Sequence, residues 1–191
     1  NFIFFEKEFP ILFNLAQAAE YNLYSDPPVA MFKLRAFGEK LSEIIFQKHG
    51  ISFPYENTFH NRLKTLEFEG VLPDQIKDLL FLIKNKGNVA VHNNKGTFED
   101  AKQLLQGAFK VSVWFYETYS LTGKDLNNHS FILPKNLDTR HALHVSETDY
   151  KELETKFTKL LQEKKEAPLT SEALDEVKKR SIKSANKIQM S

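Results

Sequence analysis

The chain is 191 residues long and 41% hydrophobic, carries a formal charge of +1 and contains no cysteine. That length and composition suit one buried core with an appendage and exclude a disordered or collagen-like chain, and the near-zero charge excludes a global field that would draw in nucleic acid or an anionic membrane. Without cysteine there is no disulfide framework, no thiolate metal site and no cysteine nucleophile, which fits a reducing, cytoplasmic setting.

No signal peptide is recognisable, and no apolar run approaches the roughly 18 residues of a membrane span. Because it begins on Asn1 rather than Met and stops within a charged helical pattern at Ser191, the sequence reads as a fragment of a longer protein. From Phe2 to Tyr24, the residues Phe5, Phe9, Leu12, Phe13, Leu15, Ala16, Ala19 and Leu23 recur at spacings of three and four. This predicts an amphipathic helix, with Pro10 marking its start or a kink. Asp26 caps a second helix that opens on Pro27 and Pro28, turns Met31, Leu34, Phe37, Gly38, Leu41, Ile44 and Ile45 inward, and ends near Gly50. Arg35 and Glu39 stand one turn apart on it and can pair along its surface for a few tenths of a kcal/mol.

Phe53 to Glu56 is a proline-containing loop, Asn57 or Thr58 can cap a shorter helix through Phe68, and Gly70 ends it. Pro73 sits in the first turn of the next helix, which contains the stretch Leu79 to His92 around which the chain is organised. Leu79, Leu80, Leu82 and Ile83 predict helix there, Gly87-Asn88 a break, and the residues beyond it one resumed turn with Ala90, Val91 and His92 facing inward. Asn88 and His92, four apart, share one side of that turn, which places polar groups able to do chemistry inside an apolar pattern. Thr97 and Asp100 form a capping box for the longest core helix, which carries Ala101, Leu104, Leu105, Ala108, Val111, Trp114, Phe115 and Tyr119. Its aromatic stripe lacks interleaved lysines and reads as core rather than as a platform for stacked bases.

Gly123 to Asp138 reads as a loop with one extended piece, Phe131 to Leu133, and no strand to pair with it, so no sheet is expected. The composition then becomes charged. Ser146 can cap a helix carrying Tyr150, Leu153, Phe157, Leu160 and Leu161, Pro168 breaks it, and Thr170 or Ser171 restarts a similar sparse stripe through Leu174, Val177, Ala185 and Ile188. In the second of these helices Lys178, Lys179, Arg180, Lys183 and Lys187 form a basic face, read as solvated surface with phosphate contact as the alternative. The expected architecture is therefore all-α. A single helical bundle spans residues 1–135, and a loop with a charged helical hairpin or stalk occupies 136–191.

Catalytic motifs are mostly missing. There is no sheet to converge acidic residues on Mg2+, Gly123-Lys124 lacks the surroundings of a phosphate loop, and neither a Gly-x-Ser-x-Gly elbow nor a His-Glu-x-x-His helix occurs. His141 and His144, with Asp138 and Glu147 near them, read as a surface loop ahead of a zinc site. No residue is assigned as catalytic or metal-ligating. His92 near a helix terminus, with Lys84, Asn85 or Lys86 a few positions before it, resembles the ribonuclease motif of HEPN domains. That motif uses arginine, whose planar fork makes a two-point phosphate contact that lysine makes less well. The simpler reading is that Asn88 and His92 cap and staple the broken helix.

Ser25-Asp26-Pro27, Lys33, Arg35, Phe37-Gly38-Glu39, Gly87-Asn88, Ala90-Val91-His92, Val113-Trp114-Phe115-Tyr116 and Phe131-Ile132-Leu133-Pro134 follow one another in an order that has a counterpart. It resembles the HEPN-like N-terminal domain of the restriction (HsdR) subunit of type I restriction-modification enzymes. The likeness covers about Phe2 to Pro134, and the charged helices beyond are similar to the connector that leads to a nuclease domain. The resemblance implies a parent chain that cleaves and translocates DNA using ATP and Mg2+, in complex with modification (methyltransferase) and specificity subunits. No cofactor is expected in this fragment, whose implied role is assembly or docking. In its light Arg35 and Glu39 are expected to join Asn88 or His92 in a partly buried polar cluster across the bundle.

Overall fold

The computed structural model describes residues 1–93, 95–122, 126, 129–136, 155 and 171–189, with the side chains of 92, 93 and 187–189 excepted. Among these residues there are six α-helices and a short 3-10 turn (Ile3–Phe5), and no strand, so the chain is all-α as expected. The helices are α1 (Pro10–Asn22), α2 (Pro27–His49), α3 (Phe59–Phe68), α4 (Asp74–Asn93), α5 (Phe98–Tyr119) and α6 (Ser171–Gln189).

The caps sit where local chemistry puts them. Pro10 opens α1, so the periodic stretch from Phe2 divides into the 3-10 turn and a helix that starts at the proline. Asp26 accepts a hydrogen bond from Val29 N at 3.1 Å to cap α2, and Gly50 closes it in the left-handed region at φ 64°. Thr58 caps α3, and Thr97 and Asp100 make the reciprocal capping box of α5.

The long helix α2 is the axis of the bundle, packing on α1, α3, α4 and α5. Beneath it lies a phenylalanine-rich core in which Phe5 meets Phe9, Phe37, Phe115 and Tyr116 with ring centroids 5.7–6.2 Å apart. Such tilted and edge-on rings fill volume without stacking face to face. Trp114 and Phe115 are wholly buried, which confirms the stripe on α5 as core. The extended piece at 131–133 has no strand partner among the described residues. Instead, Asn1 bonds both backbone groups of Ile132 (2.7 and 2.9 Å), Tyr24 donates to the Pro134 carbonyl at 2.8 Å, and Phe131 packs on Phe109.

Two expectations about α4 are corrected. The chain does not break at Gly87-Asn88, because α4 runs unbroken from Asp74 to Asn93. A glycine in a helix interior costs about 1 kcal/mol relative to alanine, and here the missing side chain lets α2 approach. A Cβ on Gly87 would stand 2.6 Å from Cβ of Arg35. In the last turns Ala90 is buried as expected, but Val91 is 40% exposed and does not face inward. The expected first helix of the charged hairpin lies, but for residue 155, outside the described residues. Its second helix, α6, lies against α5 through Val177, Ser181, Ser184 and Ala185.

Candidate functional site

The seam between α2 and α4 carries the polar residues singled out in the sequence. Arg35 projects from α2 beside Gly87, and its Nη2 pairs with Glu39 Oε1 at 2.7 Å one turn along. Both side chains are about a quarter to a third exposed (25% and 31%), which makes this a half-buried pair rather than a solvated one. The Arg35 Nε is buried without a hydrogen-bond partner among the described residues. Asn88 follows Gly87 on the continuous helix, half-buried, and its side chain makes no hydrogen bond among the described residues. The backbone of His92 belongs to the last turn of α4, and its side chain is outside the described set. The structure thus joins Arg35, Glu39 and Gly87, and with α4 unbroken there is no helix end at Asn88 to cap.

On its other side Glu39 approaches a residue that sequence reasoning passed over. Arg62 of α3 is 4% exposed; its Nε donates to Ser42 Oγ at 3.0 Å, and its Nη1 donates to Asn57 Oδ1 at 2.7 Å and to the Asn57 carbonyl at 3.2 Å. Glu43 stands 3.7 Å from its Nη2 and is also held by Lys40 at 2.8 Å. Burial lowers the pKa of this guanidinium, while the nearby charges of Glu43 and Glu39 oppose that shift. The signal was present in the sequence. Arg62 falls between Phe59, Leu63 and Leu66 on the apolar stripe of α3, where a cation must bring its own partners inside.

Two further polar ties hold the ends of the bundle. Glu8 accepts from the Ser120 hydroxyl (2.8 Å), Leu121 N (2.9 Å), the Thr122 hydroxyl (3.0 Å) and the Tyr116 hydroxyl (3.3 Å), fastening the N-terminal segment to the end of α5. Burial alone would raise its pKa, but these hydrogen bonds together outweigh burial and lower it. At the α5–α6 seam the Trp114 indole donates to Ser181 Oγ at 2.9 Å, and nearby His49 and Tyr119 are bonded at 2.9 Å. Burial, and then the charge of Lys178, lowers the pKa of His49, and burial raises that of Tyr119.

On the basic face of α6, Lys178, Lys179 and Lys183 are exposed. Arg180 is half-buried with no hydrogen-bond partner for its Nε among the described residues, and the Lys187 side chain is outside the described residues, as are His141 and His144.

The family described as Domain of unknown function (DUF4145) matches residues 17–163, more than half of the chain. The chain belongs to the DUF4145 family. The match takes in Arg35, Glu39, Arg62, Gly87, Asn88 and His92, and it stops before α6 and its lysines. This DUF4145 chain is also similar to the type I restriction enzyme EcoKI endonuclease subunit of Escherichia coli strain K12, with 30% identity over 135 residues. That alignment covers 71% of this chain and 11% of the relative, so the chain spans about a tenth of the curated protein it matches. No solved structure matches the chain significantly. No helix among the described residues is long and apolar enough to cross a membrane.

Proposed function

We propose that this DUF4145 chain is a non-catalytic assembly and docking module within the endonuclease (restriction) subunit of a type I restriction enzyme. The observation that carries the reading is the 30% identity over 135 residues to the EcoKI endonuclease subunit, confined to a small part of that protein. The ties just described support a rigid carrier. Glu8 closes the N-terminal segment on α5, Arg62 joins α3 to α2, and Arg35 on Gly87 sets the spacing of α2 and α4. A body held at several points can present a neighbouring domain at a defined angle, which a loosely packed bundle does not do.

In this reading the parent is a cytoplasmic, ATP- and Mg2+-dependent enzyme that translocates and cleaves DNA. Its partners are the modification (methyltransferase) and specificity subunits, and its DNA-cutting and ATP-hydrolysing groups lie outside this fragment. Arg35, Glu39, Asn88 and His92 then act structurally, as the register of two helices.

The test deletes the module from the parent subunit and measures holoenzyme assembly, and in parallel incubates the chain with RNA beside a His92→Ala variant. Weakened assembly and intact RNA are expected. An undiminished holoenzyme, or RNA cleavage abolished by His92→Ala, would overturn the proposal.

A further inference from the structure

A second face of the molecule, on α3 and α4, gathers cations around aromatic rings away from the α2–α4 seam. Phe81 of α4 has the Lys64 ammonium 5.3 Å and the Lys84 ammonium 5.8 Å from its ring centroid, with the His60 ring edge-on at 6.0 Å. Lys84 Nζ also donates to His60 Nδ1 at 3.3 Å. His60, Lys64 and Phe68 follow one another at four-residue steps along α3, a strip about 12 Å long at 1.5 Å per residue. At its end Phe68 is 89% exposed. Such an aromatic contributes little to the fold, since its ring remains in water.

The charges on this face are unequally compensated. Glu67 pairs with Lys64 and with Lys77, and Asp74 also pairs with Lys77. Lys84 has no carboxylate partner among the described residues, and its polar and ring partners there are His60 and Phe81. Lys84, beside His60 at one end of this strip, and the exposed Phe68 ring at the other offer a cation and a bare aromatic surface, which suit a ligand with repeating negative charge and flat apolar faces. Single-stranded nucleic acid has both, because its phosphates meet lysines while its bases stack on aromatic rings without regard to sequence. A duplex offers phosphates but hides its base faces, so it uses Lys84 and leaves Phe68 idle.

We infer that the α3–α4 face formed by His60, Lys64, Phe68 and Lys84 is a binding site for single-stranded nucleic acid, with Phe68 as the stacking platform and Lys84 as the principal phosphate contact. The inference is independent of the docking role, because it concerns a different ligand.

The experiment uses the 191-residue chain and a fluorescein-labelled oligothymidine of about a dozen nucleotides, followed by anisotropy across a salt series. A duplex of equal length and a glutamate-rich peptide serve as competitors. Binding to the single strand is expected to exceed binding to the duplex. Phe68→Ala is expected to weaken it about tenfold, and Phe68→Tyr, which keeps the ring, to preserve it. Lys84→Ala should lower the salt slope by about 0.7 for the lost phosphate contact, and Lys183→Ala on α6 should change nothing. Four results would each overturn the inference: no binding at about 100 µM chain; equal affinity for the duplex; indifference to both Phe68→Ala and Lys84→Ala; or displacement by the acidic peptide, which would make the face a protein-docking surface.

Discussion

Replacing Gly87 with alanine probes the contact on which the α2–α4 seam depends. The added Cβ would lie 2.6 Å from Arg35 Cβ and 3.2 Å from its Cγ and Cδ, whereas ordinary contact begins at 3.4 Å. The side-chain carbons of Arg35 can swing aside, but its Cβ is fixed to the α2 backbone. The two helices must therefore part by roughly 1 Å, an overpacking of the kind that costs about 1–3 kcal/mol. Alanine returns about 1 kcal/mol of helix propensity. The net expectation is a loss of about 1 kcal/mol, or a melting temperature lower by about 2–4 °C for a chain of this size, read by circular dichroism. Arg35→Ala retains the offending Cβ and is expected to leave the loss in place. Arg35→Gly removes that atom, so the double variant should be about 1 kcal/mol more stable than the sum of the single effects. A Gly87→Ala protein that melts higher than the parent would refute the reasoning, because that is how alanine behaves in an open helix.

Arg62→Met should cost about 1–3 kcal/mol in urea unfolding, since it removes the buried charged donor to Ser42 and the tie to the Asn57 loop, whereas Arg35→Ala should cost under about 1 kcal/mol; equal losses would mean that the burial of Arg62 is not what matters. Hydrogen bonds from Lys86 and then Thr97 depress the Asp100 carboxyl from its ordinary 3.8 to about 2. A carboxyl depressed on folding adds stability above its unfolded pKa that drains away as pH falls towards the folded one, so melting temperatures should drop between about pH 4 and 2, and Asp100→Asn should flatten that drop. The sequence has one tryptophan, Trp114, which is buried beside Ser181 of α6. Val177→Asp should undock α6 and shift its emission to the red, whereas Ser181→Ala should only lower the denaturant midpoint by about 1 kcal/mol equivalent; unchanged emission in Val177→Asp would mean that α6 does not cover the indole.

What could be read directly from the sequence was local or periodic. Caps at Asp26, Thr58 and Thr97 depend on a few neighbouring atoms, and the stripes of α2 and α5 repeat often enough to declare their buried faces. Gly87 misled because a glycine opposed by another helix and a glycine that ends a helix look alike until the opposing residue is known. Here that residue is Arg35, more than fifty positions away in the chain. Arg62 was missed for the complementary reason. Its partners Ser42 and Asn57 come from α2 and the loop before α3, and only the fold shows that a cation on an apolar stripe is satisfied. The closeness of Arg35 and Glu39 was legible as a one-turn spacing, and its half-buried character was expected from the resemblance but not from the residues alone. The docking of α6 on α5 was hidden because its buried residues are mostly small or hydroxylated, so the sparse stripe through Val177 and Ala185 did not show which helix it meets.

The proposed role of this DUF4145 chain is to dock a restriction subunit onto its partners. The most direct measurement is size-exclusion chromatography with light scattering on the 191-residue chain mixed with a purified complex of modification and specificity subunits. Docking predicts co-elution at the summed mass, weakened in the Gly87→Ala protein, whose α2–α4 spacing is altered. Separate elution of the chain and the complex at micromolar concentration would contradict it.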